Sequence, residues 1–99
     1  MQPTFVPVAP MWWVSNFGGL VTNGIVAARR KSTLTRLVFG AAVVTHVVEA
    51  GYAYRTAMRE GLDDAAWKWG LQTLAVGFPS LIALHELLAE REEARLLEG

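Results

Sequence analysis

Two long, mainly apolar stretches, residues 35–58 and 65–88, constrain this chain more than any other feature. A helix needs roughly 20 mainly apolar residues to cross the hydrocarbon core of a bilayer, and each stretch is long enough. Because 53% of the 99 residues are hydrophobic and 18% are charged, a soluble fold would need an unusually large core for its size. We therefore predict an all-α integral membrane protein, a helical hairpin with two spans, in a single domain that covers residues 1–99.

The segments that flank the two spans also have helical patterns. Residues 11–28 carry no charge and mix bulky apolar side chains with small polar ones, which predicts either an interfacial amphipathic helix or a third span. Ser15, Gly19 and Asn23 have the spacing of small residues that lets helices approach closely, so we expect this face to pack against another protein. Residues 85–99 interleave acidic and basic side chains with leucines and predict a charged cytoplasmic helix.

Basic residues indicate the orientation of the predicted hairpin. Arg29, Arg30, Lys31 and Arg36 cluster directly before the first span, and such clusters favour the cytoplasmic side of a membrane. Counting lysine and arginine by side places both ends of the hairpin in the cytoplasm. Arginine outnumbers lysine and alanine is abundant, which favours a bacterial source with a GC-rich genome and hence the bacterial cytoplasmic membrane.

Glycine and proline predict where the backbone changes direction. Gly61 accepts the left-handed conformation that often ends a helix, so we expect the first span to end there. Pro79 lies inside the second span and removes one backbone hydrogen bond, which predicts a bend at that point.

Polar and ionisable side chains interrupt both spans at similar depth. In an antiparallel hairpin the polar stripes of the two spans face each other, with Glu49 and Gln72 at nearly the same depth and His46 opposite Thr73 or Gly77. A glycine at position 77 permits this close approach. The residues predicted to form one intramembrane polar cluster or ligand-binding site are His46, Glu49 and Tyr52 on the first span and Gln72, Thr73 and Ser80 on the second.

The polar cluster leaves several interpretations open. An ionised Glu49 in hydrocarbon is unfavourable by roughly 2.5 kcal/mol or more, so we expect it to be protonated, hydrogen-bonded or paired with His46. The cluster then either holds the hairpin together, or recognises a lipid headgroup or sterol hydroxyl, or takes part in proton transfer or metal chemistry. A metal site has the least support, because His46 and Glu49 invert the order of bundle di-iron motifs and further carboxylates are missing. We expect no metal and no cofactor.

Composition excludes several functional classes. The formal charge is zero and no basic patch is interleaved with aromatic residues, so nucleic-acid binding is not expected. The absence of cysteine excludes disulfides, cysteine nucleophiles and thiolate metal sites. There is no glycine-rich phosphate loop, and no serine, histidine and aspartate can be placed together as a catalytic set. We predict no catalytic residue.

Two segments resemble a known family. They are His46-Val-Val-Glu49-Ala-Gly-Tyr52-Ala53 and Trp69-Gly-Leu-Gln72-Thr73-Leu-Ala-Val-Gly77-Phe-Pro-Ser80-Leu81, and their joint pattern is similar to that of the transmembrane protein 254 family, a small membrane domain of unknown function. The resemblance covers residues 34–88, and nothing before Leu34 contributes to it. It implies a protein with several spans and supports treating the two polar stripes as one unit. Pro79 and the acidic tail are departures from the family pattern.

These observations lead to one functional expectation and two alternatives. Three helices cannot enclose a substrate cavity and also cover their own small-residue faces, so we expect an accessory subunit of a larger membrane complex without catalytic activity. A lipid or cell-envelope transport system is the partner class we favour. The first alternative is a lipid- or sterol-binding membrane protein that uses His46, Glu49 and Gln72. The second is a membrane enzyme that modifies lipid, with His46 and Glu49 as acid and base.

Overall fold

The computed structural model of the chain describes residues 3–30 and 32–98, and within these ranges it contains helices and no strand. The all-α prediction is confirmed. In chain order the elements are α1 (Pro10–Trp12), a π-helical turn (Trp13–Phe17), α2 (Gly18–Arg30), α3 (Thr33–Arg59), a 3₁₀ turn (Asp63–Ala65), α4 (Ala66–Val76) and α5 (Phe78–Glu98).

Together α1, the π-helical turn and α2 form one continuous N-terminal helix, residues 10–30, which runs antiparallel to α3. A Cβ atom added to Gly24 would lie 3.1 Å from the ring of Phe39. Close to the connection between the two helices, Arg36 Nε donates to the carbonyl oxygen of Ala27 at 3.5 Å. The helix begins at Pro10, where the missing N–H is harmless because the first turn has no partner for it. Residues 11–28 are therefore helical, as predicted, and they pack against α3.

Helix α3 is the one described helix that is long and apolar enough to cross a membrane. It has 27 residues, which at about 1.5 Å each gives a length of about 40 Å. Its apolar side chains are spread around the whole circumference, which is typical of a helix surrounded by lipid or protein. Gly61 follows it with a φ of 83°, which confirms the predicted stop.

The prediction of a single second span over residues 65–88 is wrong, because the chain reverses at Gly77. Helix α4 runs back along α3, so that Gly70 contacts Tyr54. Gly77 has φ 77° and ψ −137°, a conformation essentially restricted to glycine, and it separates α4 from α5. Pro79 lacks an N–H but fits the first turn of a new helix, so it starts α5 instead of bending one long helix.

Helix α5 then returns toward the connection between α3 and α4. The hydroxyl of Ser80 contacts that of Thr73 at 2.8 Å, and His85 reaches Tyr52 on α3 at 2.9 Å. Together α4 and α5 form a hairpin that folds back along α3, with its tip at Gly77, halfway along α3; we call it the re-entrant hairpin because the chain returns to the end of α3 from which it came. The charged segment 85–98 continues α5 past the end of α3 near Glu60, so the two ends of the predicted hairpin lie at opposite ends of α3.

A small core lies where α3, α4 and α5 meet near the 60–64 connection. Small residues on α3 and α4 let the helices approach closely, and Trp69 and Leu84 are fully buried between them. The strap, residues 3–9, is an extended segment that covers this core, and its Phe5 packs edge-on against Trp69 with ring centres 5.0 Å apart. The buried core residues are Ala53, Ala57, Leu62, Ala65, Ala66, Trp69, Leu84 and Leu87.

Candidate functional site

The tip of the re-entrant hairpin exposes backbone carbonyl groups that the interrupted helix leaves without their usual partners. The Ser80 N–H donates to Gly77 O at 3.1 Å, so the carbonyl of Val76 has lost its regular donor four residues ahead. The side chain of Asn16, from the π-helical turn, donates its Nδ2 hydrogen to Val76 O at 2.9 Å. His46, from α3, contacts Leu74 O at 2.7 Å. Two neighbouring helices therefore satisfy a backbone that would be unfavourable in a bilayer on its own.

The bond to Leu74 determines the tautomer of neutral His46. A carbonyl oxygen only accepts, so the Nδ1 atom of the imidazole carries the hydrogen. In the neutral ring, Nε2 then presents a lone pair. His46 thus acts as a cap for the broken helix and keeps one acceptor available on its other side.

Gly77 lies in direct contact with His46 and Glu49. A Cβ atom at this position would be 3.3 Å from His46 Nε2 and 3.4 Å from Glu49 Oε1. The positive φ disfavours a side chain here, and a Cβ would also displace the imidazole of His46 by a few tenths of an ångström. The structure therefore brings together His46, Glu49 and Gly77, at the middle of α3.

Gln72, Thr73 and Ser80 form a separate buried group that does not include Glu49. Ser80 Oγ accepts from Gln72 Nε2 at 3.1 Å and contacts Thr73 Oγ1 at 2.8 Å. Gln72 also accepts the backbone N–H of Val8 at 2.9 Å and donates to Val6 O at 3.2 Å. Its amide group thus pairs with the strap much as a neighbouring strand would, and the predicted single cluster divides into two.

The docked strap could not be predicted from the sequence. Besides Gln72, the indole N–H of Trp69 donates to Thr4 O at 2.8 Å. The hydroxyl of Thr4 donates to Asp64 at 3.1 Å. Residues 3–9 have no helical or strand periodicity that would predict a docked segment. The bond from Asn16 to the carbonyl of Val76 was also not predicted, although a polar amide on an otherwise uncharged helix indicates a buried partner.

Tyr52 lies apart from both groups. Its side chain is 44% exposed and its hydroxyl contacts Nε2 of His85 on α5. Tyr52 therefore links α3 to α5 and does not reach the tip of the hairpin.

An open groove of about 350 Å³ runs beside Glu49, between the N-terminal helix, α3 and the hairpin tip. Ser15, Gly19 and Asn23 form one wall, so this small-residue stripe faces α3 across the groove. Within the described residues, no hydrogen bond to the carboxylate of Glu49 is present. We call this feature the Glu49 groove; its lining residues are Ser15, Asn16, Gly19, Leu20, Asn23, Ala42, Thr45, His46, Glu49, Val76, Gly77 and Phe78.

Metal chemistry has little support in this geometry. In residues 3–30 and 32–98, no group of three histidine, cysteine, aspartate or glutamate side chains could hold a metal ion. The groove contains one histidine and one carboxylate. Since Nδ1 of His46 is already bonded to the backbone, the arrangement offers acceptor groups and one formal charge.

Comparison with known proteins identifies the family. No curated protein and no solved structure matches the chain significantly. The model of the transmembrane protein 254 family matches residues 2–87, which begins well before Leu34 and takes in the strap and the N-terminal helix. The match covers the polar groups on both sides of Gly77 as well, and the chain belongs to the transmembrane protein 254 family, a membrane family of unknown function.

Proposed function

We propose that the chain is a non-catalytic accessory subunit that packs on a larger integral membrane protein. The observation that carries this proposal is an uncovered face of α3 that combines glycine and valine. We call it the outer face; it consists of Gly40, Val44, Val47 and Gly51, which the spacing of a helix places on one side. A Cβ atom added to Gly40 or Gly51 would meet nothing within 4 Å.

Glycine on an uncovered membrane face favours a protein neighbour. Helices in a bilayer associate through small residues that let their backbones approach, whereas a lipid-facing position gains nothing from glycine over a larger apolar residue. Val44 and Val47 are 62% and 54% exposed, so no element of the described chain covers the outer face. A helix of a partner protein fits this surface.

The proposed membrane arrangement follows from the same geometry. Helix α3 crosses the bilayer, the N-terminal helix packs antiparallel against it, and α4 and α5 enter from the side of the 60–64 connection and leave on that side. The basic cluster at residues 29–36 supports a cytoplasmic location for the other end. The bacterial cytoplasmic membrane is the compartment that the arginine-rich composition favours, and a lipid or cell-envelope transporter is the partner class we propose.

Affinity purification tests the accessory role. The tagged chain is extracted from its native membrane in a mild detergent, and proteins that accompany it are quantified by mass spectrometry. We expect one larger membrane protein in stoichiometric amount. The substitution Gly51→Leu should remove it, because the added side chain occupies the space that a neighbouring backbone needs.

A matched control distinguishes contact from general damage. Val38 is 55% exposed on a different side of α3, so Val38→Leu should leave the partner bound. Both variants should keep the tryptophan fluorescence spectrum of the unmodified chain, because neither position touches the core. Recovery of the chain alone, in full yield and without a partner, contradicts the accessory role.

A second candidate function is supported by the Glu49 groove. An open groove with polar groups at the middle of a spanning helix fits an amphiphilic ligand that enters from the bilayer. Gln72, which we expected to take part, is occupied by the strap, so the ligand would meet His46 and Glu49. This role is compatible with the accessory role and is tested separately below.

A further inference from the structure

We propose that the Glu49 groove is a binding site for a primary ammonium group carried on an apolar body. This inference rests on the second candidate function and specifies its ligand class. Some hydrogen-bonding groups of the groove are already used within the chain, and those that remain determine which ligand fits.

The donors of three groove side chains are spent on backbone carbonyls. The hydroxyl of Ser15 donates to Met11 O and that of Thr45 to Ala41 O, each at 2.8 Å. Nδ1 of His46 donates to Leu74 O. Each of these side chains therefore offers lone pairs to the groove, on Oγ, Oγ1 and, in the neutral ring, Nε2.

Glu49 adds two more acceptor atoms and the one formal charge of the groove lining. The negative end of α4 and the positive end of α5 meet at Gly77, so their dipoles largely cancel beside the carboxylate. Asn16 and Asn23 contribute amides that both donate and accept, so acceptor atoms still outnumber donors in the groove. A bound primary ammonium supplies the partner that an ionised Glu49 needs in the membrane interior, and its three N–H donors complement the surrounding acceptors.

The depth of the site favours an amphiphile over a fully hydrated amine. Glu49 lies three residues, about 4.5 Å, beyond the midpoint of α3. The groove is also bordered by Leu20, Ala42 and Phe78, which suit an alkyl chain. The ammonium can come from a free alkylamine or from the headgroup of an aminophospholipid.

The test measures saturable binding of dodecylamine to the full chain in phosphatidylcholine nanodiscs, with empty nanodiscs as the background. Dodecyltrimethylammonium has the charge without N–H donors, and dodecanol has a donor without the charge. We expect dodecylamine to bind at least about tenfold more tightly than either, the ratio for losing one charge-assisted hydrogen bond. Glu49→Gln should weaken dodecylamine binding by a similar factor, whereas Glu60→Gln, on the exposed connection outside the groove, should not change it.

Thr45→Val provides a second variant that keeps the shape of the groove and removes one acceptor; it should reduce affinity by a smaller factor than Glu49→Gln. Equal binding of dodecylamine and dodecyltrimethylammonium, or of dodecylamine and dodecanol, would overturn the ammonium site while leaving amphiphile binding intact. Absence of saturable binding for all three probes overturns both the ammonium site and amphiphile binding.

Analysis of the lipid extracted from the purified chain distinguishes the two sources of the ammonium. If the unmodified chain retains an aminophospholipid and Glu49→Gln loses it, the headgroup is the ligand. If dodecylamine binds and no aminophospholipid is retained, the ligand is a free amine.

Discussion

Replacing Gly77 by alanine should destabilise the re-entrant hairpin more than any other glycine-to-alanine change in the chain. The φ of 77° and ψ of −137° place this residue in a region that L-amino acids avoid, which costs about 1–3 kcal/mol. The new Cβ would also lie 3.2 Å from His46 Cε1 and 3.4 Å from Glu49 Oε1. The imidazole is held by its bond to Leu74 O, so moving it adds to the backbone cost, and we expect a total loss of at least about 2 kcal/mol.

Gly61 provides the matched control, because its φ is 83° and a Cβ there would meet nothing within 4 Å. Gly61→Ala should therefore show the backbone effect alone, about 1–2 kcal/mol. Equilibrium unfolding in mixed micelles of dodecyl maltoside and dodecyl sulfate, followed by tryptophan fluorescence, measures both variants. If Gly77→Ala is no less stable than Gly61→Ala, the argument from close approach is refuted.

A double-mutant cycle assigns the extra loss to its cause. In a His46→Ala background two of the three nearest atoms are removed, so the effect of Gly77→Ala should fall toward that of Gly61→Ala. An unchanged effect would show that the backbone conformation, and not the imidazole, excludes a side chain at position 77.

Three further predictions concern other parts of the chain. Gln72→Leu removes the hydrogen bonds to the strap and to Ser80; it should destabilise the protein by about 1–3 kcal/mol and speed proteolysis of residues 3–9, as followed by mass spectrometry. Gly51→Ala, in open space within α3, should increase the free energy of unfolding by about 0.5–1 kcal/mol in the same micelle titration. A side-chain hydrogen bond from Arg95 holds the pKa of Glu92 below its ordinary value. The pair therefore stabilises the end of α5 at a pH above the ordinary pKa of glutamate, and this stabilisation is lost as the pH falls through the lowered pKa. In Arg95→Gln, NMR titration should show a higher pKa for Glu92.

The sequence was sufficient to predict the helical class and the extent of α3, because apolar length is a local property. It was also sufficient to predict that His46 would face Thr73 or Gly77, since that register follows from a short antiparallel connection, and the structure places Gly77 there. The reversal at Gly77 could not be predicted in the same way. The hydropathy of residues 65–88 is the same whether the chain continues as one straight helix or reverses at Gly77. The direction of α5 is set by contacts between side chains, such as that between Thr73 and Ser80.

The role of Gln72 shows the same limit for the site. Its depth suggested a partner on α3, but its amide pairs with the backbone of Val6 and Val8. Because every residue has backbone N–H and C=O groups, the residue types in a sequence do not show which of these groups will bind a given side chain. A partner of this kind can be found only once the fold is known.

The strap has a consequence for the order in which the molecule assembles. Thr4, Val6 and Val8 bond to residues that lie 60 to 66 positions later in the chain. During synthesis the strap therefore leaves the ribosome before its binding surface, which exists only once α4 has also emerged and met α3. Until α4 is made, the backbone groups of Thr4, Val6 and Val8 lack the partners that Trp69 and Gln72 supply. We expect the strap to close over the core in a late step of folding, because its contacts join residues that are far apart in the sequence.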